Sequence, residues 1–102
     1  MYAVFRETYY SAETKIQETK AFKAFQDKHA EQPGYAGTIV TSVGEGRHLT
    51  VTLWKTKEDM HNARKTLGQV VEELLNPIMT APAILLGTGP VVVNDLNAYS
   101  SG

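Results

Sequence analysis

Residues 47–54, Arg-His-Leu-Thr-Val-Thr-Leu-Trp, alternate in character with a period of two. In an extended chain Leu49, Val51 and Leu53 point one way, and Thr50, Thr52 and Trp54 the other. Gly44-Glu-Gly46 stands just before them as a tight turn in which either glycine can take a positive φ. Ahead of that turn runs a second β-type stretch, Tyr35 to Val43, with Ile39, Val40 and Val43. Two such runs joined by so short a link form a β-hairpin, and what flanks the hairpin decides the fold.

On the N-terminal side, Tyr2 to Tyr10 is rich in β-branched and aromatic residues and reads as a strand. After the polar break Ser11–Thr14, the pattern turns helical from Lys15 to about Glu31. Ile16, Phe22, Phe25 and His29 recur at helical spacing, Thr14 is placed as N-cap, and Pro33-Gly34 ends the helix. On the C-terminal side, Thr56-Lys-Glu-Asp59 resembles a capping box and opens a second helix reaching about Asn76. Met60, Ala63, Leu67, Val70, Val71, Leu74 and Leu75 make its broad apolar stripe. Pro77 and Pro82 bracket an irregular apolar segment, Gly87-Thr-Gly-Pro90 reads as a turn, and Val91 to Asp95 as a last short strand. The order is β-α-β-β-α-β. With right-handed crossovers this is the ferredoxin-like α+β arrangement, a four-stranded antiparallel sheet with both helices on one face.

The other sheet face then has no cover from its own chain. Yet Val4 and Phe5 are neighbours, as are Ile39 and Val40, Leu53 and Trp54, and Val91 and Val92, so both faces carry apolar groups. A large apolar patch marks an interface, and a homodimer joined through the sheet face is expected. At 102 residues the chain fits one domain, expected over 1–95 with a loose polar tail at 96–102. Ten basic against eleven acidic residues leave a net charge of -1, which offers no footprint for nucleic acid or anionic membrane. Without cysteine there is no disulfide, thiol nucleophile or thiolate metal site. Charge arrives at Arg6, before a signal-peptide core could form, and no apolar run approaches the roughly 20 residues of a membrane span. The expected location is the cytoplasm.

Pro33-Gly34-Tyr35-Ala36-Gly37 leading into a strand, and Leu53-Trp54-Lys-Thr-Lys-Glu58-Asp59 leading into the second helix, resemble the dimeric α+β barrel superfamily. The group they look most like is the antibiotic-biosynthesis-monooxygenase-like domains. The resemblance covers about the first 95 residues in topology and those two stretches in motif. It implies a cleft between sheet and helices, and, among the group's activities, cofactor-free oxygenation of polycyclic phenols or quinols, or haem degradation. Glu72-Glu73-Leu74-Leu75 holds no histidine and the first strand no asparagine, where haem-degrading relatives carry them, so haem cleavage is disfavoured. Trp54 matches a tryptophan of the cofactor-free members. Thr50 stands on the same face where those members have an asparagine to orient substrate.

The candidate residues each carry two readings. The Trp54 ring either stacks on an aromatic substrate or anchors the strand to the second helix. His61 and Arg64, spaced i, i+3, are candidates for taking a phenolic proton and holding the oxyanion, or else form a solvated helix edge. Met60 supplies a deformable apolar wall, and Gly68 leaves space one turn beyond Arg64. Tyr9 and Tyr10 face opposite ways, and Tyr9 is the candidate for a hydrogen bond to ligand. His29 reads as a helix-end histidine favoured by the dipole, and His48 as exposed beside the turn. No two histidines have a spacing that converges on a metal, and no metal or cofactor is expected.

The expected function is a cofactor-independent monooxygenase-like protein acting on a small hydrophobic phenol or quinol. The competing reading is a non-catalytic ligand binder or stress-related dimer. An RNA-binding module of the same strand order is excluded, because His48–Leu53 lacks the stacking aromatics.

Overall fold

A computed structural model describes residues 1–96. Its main elements are β1 (Tyr2–Tyr10), α1 (Lys20–Ala30), β2 (Tyr35–Gly44), β3 (Arg47–Trp54), α2 (Lys57–Val70) and β4 (Met79–Pro90). The strands form one antiparallel sheet of order β2-β3-β1-β4, the ferredoxin-like arrangement expected from the sequence. The expected tail lies outside the described residues except for Leu96. No helix among the described residues is long and apolar enough to cross a membrane.

The hairpin forms as the alternation requires, with Ile39 opposite Val51 and Thr38 opposite Thr52. Gly46 takes the positive φ, at 74°. A Cβ there would sit on the Tyr10 carbonyl oxygen, which also receives no room to move because the Tyr10 amide donates to the Gly46 carbonyl at 2.7 Å. Only glycine fits both demands. At the start of α2, the Thr56 hydroxyl accepts from the Asp59 amide at 3.0 Å, the cap read from the sequence.

The first helix starts later than the sequence suggested. The chain makes a separate 3-10 turn at Ile16–Glu18 that buries Ile16, then straightens at Thr19. Thr19, not Thr14, is the N-cap, its hydroxyl accepting from the Phe22 amide at 3.1 Å. Thr14 instead bonds Ser11 through its hydroxyl.

The last strand also differs. It is Met79–Pro90, and Gly87–Pro90 belongs to it, while Val91–Asp95 forms no strand. The free edge of β1 decides this. Backbone pairing to that edge is indifferent to side chains, so Gly87 pairs with Phe5 and Gly89 with Ala3. The edge ends where Tyr2 meets Pro90, and Val91–Asp95 has run past it. Pro82 is tolerated because β4 is an edge strand and bulges there: Pro82 and Ala83 together face the single residue Thr8.

Alternation sorts the side chains into two faces. Val4, Trp54, Met60, Ala63 and Leu67 form the buried cluster between sheet and helices, with Tyr2, Phe25 and Tyr35 against it. On the far face Phe5, Ile39 and Ile84 are each close to half exposed. They sit beside Val51 and Leu53 in one apolar groove, apart from Ile84, which is opposite Glu7.

Candidate functional site

The helix-facing side of the sheet is not filled throughout. Beyond the Val4–Trp54 cluster, that face carries Arg6, Thr8, Thr38, Thr50 and Thr52 where larger apolar side chains would close the layer. On α2 the facing position is Gly68, where an added Cβ would meet nothing within 4 Å. The result is a cavity of about 320 Å³ between the sheet and the two helices. This is within the size range of small-ligand pockets. After α2 the chain adds one π-helical turn, Val71–Leu75, and Val71 and Leu75 close the cavity on that side.

The cavity brings together four of the six residues singled out from the sequence: Trp54, Thr50, Met60 and Arg64. It leaves out two. His61 is exposed and does not line the cavity. The cavity wall on α2 runs Met60, Arg64, Leu67, Gly68, and a residue directly after Met60 lies about 100° around the helix from it. Tyr9 lies on the opposite sheet face, where its hydroxyl donates to Glu7 at 2.6 Å. Tyr10 lines the cavity in its place. Glu7 also accepts from Arg47, and the Tyr9 and Arg47 bonds hold its carboxyl below the usual range.

Two residues were not singled out as site residues. His29 does not sit at a solvated helix end. It is 6% exposed, with its ring 5.1 Å from Phe25, 5.0 Å from Tyr35 and 5.5 Å from Trp54. Burial, then the nearby Arg6 guanidinium, pulls its pKa down to about 4, so it is uncharged at neutral pH. Its Nδ1 lies 3.5 Å from Gln26 Oε1; with that nitrogen donating, Nε2 keeps a lone pair. The second residue is Arg6, whose pKa is lowered by burial and then by Arg64. Both had a signal in the sequence. Arg6 shares strand parity with Val4 and Tyr10, and His29 follows Phe22 and Phe25 at i+7 and i+4.

His48, expected at the surface, is 7% exposed with its ring edge-on to Tyr10 at 5.4 Å. It stands beside the turn as expected, but its place on the helix-facing side of β3 turns its ring inward against Tyr10. Among the described residues no three His, Asp or Glu converge as a metal site would require.

No protein-family model matches the sequence, and no curated protein matches it significantly. Solved structures do match its shape. The cofactor-independent oxygenase SnoaB of Streptomyces nogalater superposes with a TM-score of 0.67 at 15% identity, over 94% of this chain and 96% of that one. A protein provisionally assigned as an antibiotic biosynthesis monooxygenase, from Caulobacter crescentus, gives 0.71 at 14% identity over 90% of each chain. The protein NE2512 of unknown function from Nitrosomonas europaea gives 0.72 at 6% identity, over 94% and 93%. At such identities the likeness is one of fold, and it agrees with the β-α-β-β-α-β order and the four-stranded antiparallel sheet. The chain has the fold of the antibiotic-biosynthesis-monooxygenase-like dimeric α+β barrel proteins.

Proposed function

We propose that this protein is a cofactor-independent monooxygenase-like enzyme that takes a small phenolic or quinol-type aromatic into the cavity between sheet and helices. One observation carries the reading: a buried, uncharged histidine, His29, stands in the wall of an apolar cavity beside the Trp54 ring. A flat ring fits between Trp54, Phe25 and Met60 by aromatic contact and dispersion. His29 takes the hydroxyl proton at Nε2, and the Arg6 guanidinium favours the phenolate that results. The negative oxygen in turn offsets the Arg6 field that opposes protonation of His29. The electron-rich phenolate then reacts with dioxygen. In a phenol whose fused ring also carries a methylene, as an anthrone does, that methylene and O₂ become a ring carbonyl and water, the substrate supplying the electrons, so the reading asks for no metal or flavin. Excluding bulk water from this step is the task of the apolar walls.

Oxygen uptake with simple quinols and anthrones, using metal-stripped protein, tests this. Turnover is expected in the native protein, with a fall of about 100-fold or more in His29→Phe, the usual worth of a general base. His61→Ala should turn over like the native protein. No uptake with any such substrate, alongside tight binding of the same aromatics, would instead favour the non-catalytic binder.

The proposal includes a homodimer. Phe5, Ile39, Val51 and Leu53 line one exposed apolar groove on the face away from the helices. A second copy laid against it would remove that patch from water, in keeping with the fold's dimeric barrels. Light scattering at micromolar concentration should return twice the chain mass. A single-chain mass across all accessible concentrations would overturn the dimer.

A further inference from the structure

Of the described residues lining the cavity, Arg6 and Arg64 are the two with permanent charge, and both are cationic. No aspartate or glutamate stands among the lining residues within the described part of the chain. Neither guanidinium makes a salt bridge or a side-chain hydrogen bond within the described residues; the ion pairs there are Lys28–Glu31 and Arg47–Glu7. Arg6 projects from the central strand β1, between Val4 and Thr8 on the helix-facing side, and is half-buried. Arg64 projects from α2 and is exposed, so it stands at the mouth. Burial, and then the Arg64 charge, work against the charged form of Arg6. Taking a guanidinium out of water without an anion is costly, and placing a second one beside it adds to that cost.

The charge count says what is missing. With His29 uncharged, the cavity carries two positive charges. A phenolate formed during the proposed reaction would offset one. The other calls for an anion that the ligand brings with it. We infer that the cavity takes an aromatic carboxylic acid, its carboxylate held by Arg6 and Arg64 and its ring against Trp54 and Met60. A planar carboxylate is the anion whose two oxygens match the paired donors of a guanidinium. The hydroxyls of Thr8 and Thr50, which line the same cavity, are further donors suited to its remaining lone pairs. This inference rests on the proposed aromatic site and names its substrate class.

Calorimetric titration of the full chain with 2-naphthoate and with the isosteric neutral 2-naphthamide tests it. The carboxylate should bind at least about ten-fold more tightly, the discrimination that one charge-assisted hydrogen bond supplies. Arg6→Met should abolish that preference and leave the amide's affinity unchanged or improved. Arg64→Gln, at an exposed helix position where folding is not at risk, should reduce the preference as well. Equal affinity for acid and amide in the native protein would overturn the inference while leaving the aromatic site standing. A preference that survives both substitutions would overturn it too, by placing the anion elsewhere. Failure of both compounds to bind would bring down the aromatic site itself, and the inference with it.

Discussion

Trp54→Ala should cost the folded state about 3–5 kcal/mol, the usual loss when a buried aromatic side chain is removed from a core. Trp54 is 3% exposed and lies in the cluster with Val4, Met60, Ala63 and Leu67. It ends β3 opposite Tyr2 on one side and Tyr35 on the other, and its ring meets Tyr35 edge-on at 5.7 Å. Removing it therefore loosens three strands and the first turns of α2 together. A chain of this size has only about 5–15 kcal/mol of total stability, so the variant should be partly unfolded well below the native midpoint. Trp54→Phe keeps a ring in the site and should lose much less. Urea unfolding of the three proteins at neutral pH measures both effects. A loss under about 1 kcal/mol for the alanine variant would mean that the ring belongs to the cavity alone and that the core does not depend on it.

Acid should cost the native protein about 3 kcal/mol that it does not cost His29→Phe. The unfolded chain protonates a histidine near 6.5, whereas burial and Arg6 keep His29 uncharged in the fold down to about 4. Between those values the unfolded state binds more protons than the folded one, so stability rises with pH. The His29 contribution is fully present above about 6.5, falls as pH drops towards 4, and changes no further below that. Phenylalanine suits the same space, since the ring's neighbours are Phe25, Tyr35 and Trp54. Carboxylates whose protonation also weakens the fold in acid, Glu7 among them, are common to both proteins and cancel. Urea unfolding of each at about pH 7.5 and about pH 4 gives the comparison. Parallel losses in the two proteins would show that His29 accepts a proton in the folded state and is not held neutral. The reading of His29 as a base working from its uncharged form would then fall as well.

Local patterns in the sequence determined much of this protein. The alternation of residues 47–54, the glycines of the turn before them and the Thr56 cap each act over a few residues, and each appears in the structure where the sequence placed it. The β-α-β-β-α-β order followed from those patterns, and the handedness of crossovers left one sheet order to find. Strand parity put Thr50 and Trp54 on the side that became the cavity wall.

Tertiary structure decided what depends on a partner distant in sequence. Gly87–Pro90 reads as a turn by itself, but β1 has an open edge, and backbone pairing to it overrides the weak strand preference of glycine. Thr14 and Thr19 are equally good caps by composition. Burial of Ile16 in its own turn moved the helix start to Thr19. His61 and His29 are the same residue on two amphipathic helices, and only packing told them apart. One turned to solvent, and the other was enclosed by three aromatic rings from α1, β2 and β3. Arg6 and Arg64 are 58 positions apart, and no local pattern joins them. The sheet and α2 bring them to one cavity, because side-chain charge acts through space and not along the chain.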